Sequence, residues 1–242
     1  MRSISGWFWS GVAMTVFATA ATGRTNDAGL TPVPRVLYAP ASSITQAPEF
    51  PALREYRGGP VPESTSIRMT TDGTTLFVMV RAHDAHPDQL VTRVSAASNY
   101  PAIWKEDSLE LFFKPTPDYP EQYQFIVSCS GYFVRNHNLH KDNSSYQRLP
   151  WPDKDRSKVA VHRSASGYDV EIQVPLDSMA FKTALQPGQR MYGQVVRNYR
   201  GHGDPNRAVL QLFPAFVYIG TNLPPSNHHP KGFHAYDIVK PD

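Results

Sequence analysis

Trp104, Glu110 and Gln124 are the residues whose types and spacing carry the clearest chemistry in this sequence. They lie in W-K-E-D-S-L-E-L-F-F-K-P-T-P-D-Y-P-E-Q-Y-Q-F-I-V-S-C-S-G, residues 104–131, which reads as two strands joined by a Pro-rich loop. In the first strand Leu109, Leu111 and Phe113 alternate with Ser108, Glu110 and Phe112. In the second, Tyr123, Phe125, Val127 and Cys129 alternate with Gln124, Ile126 and Ser128. A period of two puts the two sets on opposite faces, so Glu110 points away from the apolar set. Trp104 stands just before the first strand. An exposed carboxylate and an exposed indole beside one sheet face suit a polyol: the ring covers apolar C–H groups and the carboxylate accepts from hydroxyls.

The same stretch also offers carboxylates for hydrolysis. Glu106 with Glu110, or Asp107 with Glu110, are the local pairs. A glycosidase needs two carboxyl groups about 5–5.5 Å apart for retention, or about 6.5–9.5 Å for inversion. Glu106 and Glu110 share strand parity, whereas Asp107 and Glu110 do not. No Ser-His-Asp signature or catalytic metal motif accompanies them, so the chain is not expected to be an enzyme. His137 and His140 stand at H-x-x-H spacing in what reads as a polar loop. A zinc site needs further ligands, and the nearby sequence offers no Cys and no acidic triad; no metal is expected.

These residues need elements to position them. Arg2, the apolar run Trp7–Ala18 and Ala18-Thr19-Ala20 have the form of a secretory signal, with a mature start near Ala21. Ser10 and Gly11 interrupt the run, and a membrane span needs about 20 unbroken apolar residues. No later stretch is apolar enough to span, so the expected localisation is secreted, periplasmic or cell-surface. The expected organisation is a signal over 1–23, a linker over 24–34 and one domain over 35–242. The net charge of +3 is not gathered into a Lys/Arg block, which excludes a nucleic-acid stripe. The single Cys129 excludes an intramolecular disulfide framework and reads as a buried, inert thiol. The 22 prolines and 15 glycines fall mostly between apolar runs, as in many strands joined by turns.

The strands read as follows. Val36–Tyr38 is an edge strand. Thr65–Thr70 and Thr75–Arg81 flank the hairpin turn T-D-G-T, and the second is apolar on both faces, hence central. Lys158–Arg163 and Asp169–Pro175 form another hairpin, with Val170, Ile172 and Val174 inward. In Met191–Tyr199 either Val195 with Arg197 or Val196 with Tyr192 faces inward, and the pattern leaves both open. Ala208–Ile219 is the most apolar stretch after the signal, and Phe233–Val239 closes the domain. Asn143-Ser144-Ser145 matches a glycosylation acceptor.

The stretch W-K-E-D-S-L-E-L-F-F-K-P with Y-Q-F-I-V-S-C-S-G resembles the family 9 carbohydrate-binding modules. G-Y-D-V-E-I-Q-V-P-L, P-G-Q-R-M-Y-G-Q-V-V-R-N-Y and H-P-K-G-F-H also fit, in order, over roughly residues 35–240. The resemblance implies an all-β, antiparallel β-sandwich of jelly-roll type. It implies a noncatalytic site for glycan chain ends or small saccharides of glucose or xylose type. Trp104 would stack on the ring, Glu110 and Gln124 would bond hydroxyls, and Arg135 or Arg197 would supply a forked donor. Asp84, after its strand, would hold loops. The family has a Trp-Pro pair near the position of Phe213-Pro214; Phe213 is then either the second wall of an aromatic clamp or a core residue. The implied partners are a carbohydrate and polysaccharide-degrading glycoside hydrolases. No cofactor is expected, with a structural calcium left open. The wider superfamily includes b-type haem domains, for which Met79, Met191, His83 and His162 are the candidate ligands; the absence of C-x-x-C-H excludes covalent c-type haem.

Overall fold

A computed structural model describes residues 32–55, 61, 63–92, 103–140, 146–151, 156–200, 208–212 and 233–241. The signal over 1–23, the glycosylation acceptor at Asn143 and the residue Phe213 lie outside these. The described strands are β1 (Arg35–Tyr38), β2 (Arg54–Glu55), β3 (Thr65–Thr71), β4 (Thr75–His83), β5 (Ser108–Lys114), β6 (Glu121–Ser128) and β7 (Phe133–His140). They continue with β8 (Tyr146–Leu149), β9 (Lys158–Ser164), β10 (Gly167–Pro175), β11 (Arg190–Tyr199), β12 (Ala208–Gln211) and β13 (His234–Val239). Among the described residues no helix is long and apolar enough to cross a membrane.

The strands run in the order β8-β7-β6-β5-β11-β13-β1-β3-β4-β10-β9, with β12 added beside β11 and β2 beside β12. The chain is therefore all-β, and most pairings are antiparallel. β1 is the exception, lying parallel to both β13 and β3. It is an interior strand rather than the expected edge, because the closing strand β13 fills the position on its other side.

β11 is where the sheet changes partners. Along one side it pairs with β5 over Tyr192–Asn198. Along the other its first half, Arg190–Gly193, pairs with β13, and its second half, Val196–Tyr199, pairs with β12. Gly193 sits at that change. A Cβ there would lie 2.7 Å from both the Phe112 carbonyl oxygen and the Tyr236 ring, so only glycine fits without displacement.

The core forms between the two ends of this strand order. Leu109, Leu111, Phe113, Tyr123, Phe125, Val127 and Val195 pack in one cluster with Ile67, Met69, Leu76, Val78, Val80, Val170, Ile172 and Val174. Each strand contributes alternate residues, as its period of two requires. Full burial of a side chain of this size stabilises by about 1.5–3 kcal/mol, and cutting Leu111 to Ala costs about 2–5 kcal/mol. β4 runs between β3 and β10, matching its apolar character on both faces. Its hairpin with β3 is closed by Asp72, whose Oδ1 accepts the Thr74 and Thr75 N–H groups and the Thr74 hydroxyl, each at 2.8 Å. Gly73 takes the positive φ of 92° in the turn.

Two readings of the sequence change here. β7 continues to His140 instead of giving way to a loop after Asn136, because β6 and β8 pair with it on either side. The register of β11 is also decided: Met191, Val195, Arg197 and Tyr199 face inward. Val196 faces outward, in a small cluster with Phe112 and Phe233.

Candidate functional site

The outward face of β5, β6, β7 and β11 carries a continuous polar row. Glu110 Oε2 accepts from Gln124 Nε2 at 2.7 Å, and its Oε1 accepts from Asn198 Nδ2 at 2.8 Å. Gln124 Oε1 in turn accepts from Asn136 Nδ2 at 2.9 Å and from Asn138 Nδ2 at 3.4 Å. Asn198 Nδ2 also reaches Ser108 Oγ at 3.1 Å. The strand register explains the row. Phe112 is opposite Gln124, which is opposite Asn136, so Gln124 lies diagonally from Glu110. Asn198 opposes Ser108, the diagonal neighbour on the other side. Diagonal neighbours on one face of a sheet are within reach of long side chains.

This face is not open. Glu110 and Gln124 are each 3% exposed and Asn198 1%, so the expected exposed carboxylate is in fact buried. Phe233, entering β13, packs edge-on against Phe112 at 5.8 Å between centroids and stands under the Lys114 ammonium at 5.5 Å. Burial pulls the Lys114 ammonium below the usual lysine range. A carboxylate so deeply buried requires charge-assisted donors, and the two amides are those donors. Donation runs from Asn136 through Gln124 to Glu110, and Asn198 donates to Glu110 from the other side. A carboxylate oxygen accepts more than one hydrogen bond and an amide nitrogen donates two. Such a row can therefore exchange bonds with neighbouring hydroxyls, which both donate and accept. Asn138 Oδ1, on the same face, is buried without a donor among the described residues.

Trp104 stands at the Ser108 end of β5, half-buried, in the 3-10 turn Ile103–Lys105. Ile103, its neighbour in the turn, is fully buried. The Trp104 carbonyl accepts from Arg200 Nε at 3.1 Å and Nη2 at 2.8 Å. Asp107 accepts the Val91 N–H at 2.7 Å and the Arg200 N–H at 2.8 Å. Burial raises the Asp107 carboxyl above its usual range, against the lowering effect of those two N–H groups and of Arg197. Burial likewise raises Glu106, which accepts from the Ser128 hydroxyl at 2.8 Å. All three local carboxylates are thus engaged by protein donors.

The structure brings Glu110 and Gln124 together and sets Trp104 at the end of their strand, but it separates both arginines from them. Arg197 is fully buried on the inward face. It donates to Ser64 O at 2.9 Å, Thr65 Oγ1 at 3.1 Å and His83 O at 2.6 Å, and lies 3.9 Å from Asp84 Oδ2. Odd numbering in β11 puts it behind the row that Asn198 joins. Arg135 is also on the inward parity of β7, its guanidinium 5.2 Å from the Trp151 ring. Asp84 holds a loop as expected, accepting the His86 N–H at 2.8 Å.

The residues that sequence reasoning missed are Asn136, Asn138 and Asn198. The even parity of Asn136 and Asn138 after the Gly131 turn was the available signal. Asn198 needed the register of β11 against β5. His137 and His140 fall on opposite faces of one strand, and His137 bonds Glu121 Oε2 at 2.6 Å and Pro150 O at 2.9 Å. The four haem candidates are also dispersed: Met191 is in the core, Met79 is on the other face of β4, and His83 and His162 are exposed.

The fold and this face define an all-β sandwich domain with a buried carboxylate–amide row. The chain matches the family described as carbohydrate family 9 binding domain-like over residues 53–199. It belongs to that family. No curated protein sequence matches it. Among solved structures it is similar to a candidate carbohydrate-binding protein of Bacteroides uniformis, at 16% identity and a TM-score of 0.59, covering 85% of this chain and 97% of that one. It is also similar to a family 9 carbohydrate-binding module of Caldicellulosiruptor kristjanssonii. The glucose complex of that module aligns at 12% identity and a TM-score of 0.53, over 86% of this chain and 93% of that one. The cellotriose complex aligns at 13% and 0.58, over 86% and 94%.

Proposed function

We propose that this chain is a noncatalytic carbohydrate-binding module for glycan chain ends or small saccharides of glucose or xylose type. The observation that carries this reading is the row Asn136–Gln124–Glu110, with Asn198 donating to Glu110 from the other side and Trp104 in the turn that precedes the strand of Glu110. It combines carboxylate and amide acceptors with amide donors on one face, and sugar hydroxyls both donate and accept. Trp104 supplies the apolar platform for the ring face. The glucose and cellotriose complexes of the Caldicellulosiruptor module support the same ligand class. The expected binding strength is micromolar to millimolar, about −4 to −8 kcal/mol.

The module works outside the cytoplasm, after removal of its signal, in company with polysaccharide-degrading enzymes. Arg2, the run Trp7–Ala18 and Ala18-Thr19-Ala20 motivate export. In the native host the mature protein should begin near Ala21; an intact Met1 on the secreted species, by mass spectrometry, counts against it. A glycan array followed by calorimetric titration with glucose, cellotriose and xylose tests the ligand class. Absence of binding to every saccharide on the array would refute it. Release of reducing sugar from xylan, cellulose or starch, lost in Glu110→Gln, would replace it with a hydrolase.

A further inference from the structure

The turn that carries Trp104 spans only Ile103–Lys105. One turn of that length cannot fix its own side chains, since nucleating a turn costs more order than its first hydrogen bond returns. Its stability comes from outside. The Ile103 carbonyl accepts from the Glu106 N–H at 2.9 Å, which closes the turn. The strongest tie is the Arg200 guanidinium, which places two N–H groups, from Nε and Nη2, on the single carbonyl of Trp104. Arg200 is itself nine-tenths buried. It follows Tyr199, the last residue of β11, and so lies two residues beyond Asn198.

Arg200 is held in turn by Asp107. The two oxygens of that carboxylate take the backbone N–H groups of Arg200 and Val91. The Asp107 backbone is fixed as well, its N–H donating to Val91 O at 3.2 Å and its carbonyl accepting from the Cys129 N–H at 2.9 Å. The entry to β5, the exit from β11 and the Trp104 turn thus form one hydrogen-bonded unit. A planar fork with two donors fixes direction as well as distance, which a lysine ammonium does not.

We propose that Arg200 is a positioning residue for saccharide recognition, its guanidinium fork fixing the Trp104 turn, and so the indole, relative to the Glu110–Asn198 row. The role rests on the reading of Trp104 as the ring platform. Arg200 acts through Trp104. A platform already in place spares the ligand the cost of ordering it, about 0.5–1.5 kcal/mol for one side chain, or about 2- to 12-fold in Kd.

The test uses the full mature chain labelled with 5-fluorotryptophan, the Trp104 fluorine resonance being assigned by its absence in Trp104→Phe. In Arg200→Ala the Trp104 resonance should shift or broaden while that of Trp151 stays in place. Titration with the saccharides above should show affinity about 2- to 12-fold weaker. Arg200→Lys, which keeps the charge but replaces the planar fork with a single ammonium, should move the resonance in the same direction by less and restore part of the affinity. An Arg200→Ala protein with an unmoved Trp104 resonance overturns the proposal, as does a moved resonance with wild-type affinity. Should Arg200→Ala not fold, Arg200→Lys carries the test, and identity with wild type in both measurements overturns the role. A wild-type protein that binds no saccharide overturns the binding reading and the role together. Wild-type binding that is unchanged by the Arg200 variants overturns the role alone.

Discussion

Replacement of Arg197 by Met separates a structural arginine from a ligand-binding one. The substitution keeps most of the apolar stem and removes the guanidinium. In the wild type that group bridges the two halves of the sandwich, reaching from β11 to Ser64, Thr65 and His83 at the adjoining ends of β3 and β4. Its removal leaves three acceptors without this donor and takes the countercharge from Asp84, itself 3% exposed. Breaking a buried ion pair by deleting one partner costs about 3–5 kcal/mol. For a domain of this size each kcal/mol moves Tm by about 2–4 °C, so the melt should fall by roughly 6–20 °C. Sugar affinity measured well below that melt should stay within about twofold of wild type, because Arg197 and Glu110 face opposite sides of the same layer. Circular dichroism melts and calorimetric titration together decide the matter. A variant that melts within about 2 °C of wild type refutes the energetic argument. A variant that is fully folded yet has lost saccharide binding refutes the placement of the site.

Trp104→Ala should weaken saccharide binding by about 2 kcal/mol, near 30-fold, the loss expected of a hot-spot ring. Its melt should change little, since a half-buried side chain leaves no closed core cavity; wild-type affinity in the titration would place the platform elsewhere. Glu110→Gln faces an amide toward two amide donors and removes two charge-assisted bonds, each worth about 1.5–3 kcal/mol. Affinity should fall at least about tenfold and Tm should drop with it, whereas an unchanged titration would exclude the row from binding. Cys129 is fully buried, and burial pushes its thiol up to about 12, so at about pH 8 only roughly one molecule in 10⁴ is thiolate. The native protein should resist a thiol reagent that labels it in guanidinium; rapid labelling of the native state would contradict the burial.

Much of the local structure was legible in the sequence because a period of two and a turn motif act over few residues. Leu109, Leu111 and Phe113 alternate with Glu110, T-D-G-T closes its hairpin, and Val170, Ile172 and Val174 line the core as their spacing requires. The resemblance that begins at Trp104 likewise led to the family. Tertiary structure alone decided which polar residues meet. Asn198 reaches Glu110 across 88 positions of sequence, a pairing that no local pattern encodes. β11 has apolar residues on both parities, so its pattern could not say that Val195 and Arg197 turn inward while Val196 and Asn198 turn outward. That choice was made by its neighbours, β5 on one side and β13 with β12 on the other. The same neighbours explain why a carboxylate that reads as exposed is buried and why an arginine that reads as a ligand donor ties the core together. Burial of a charge depends on what the remainder of the chain brings to it, and strand periodicity reports only the face on which it starts.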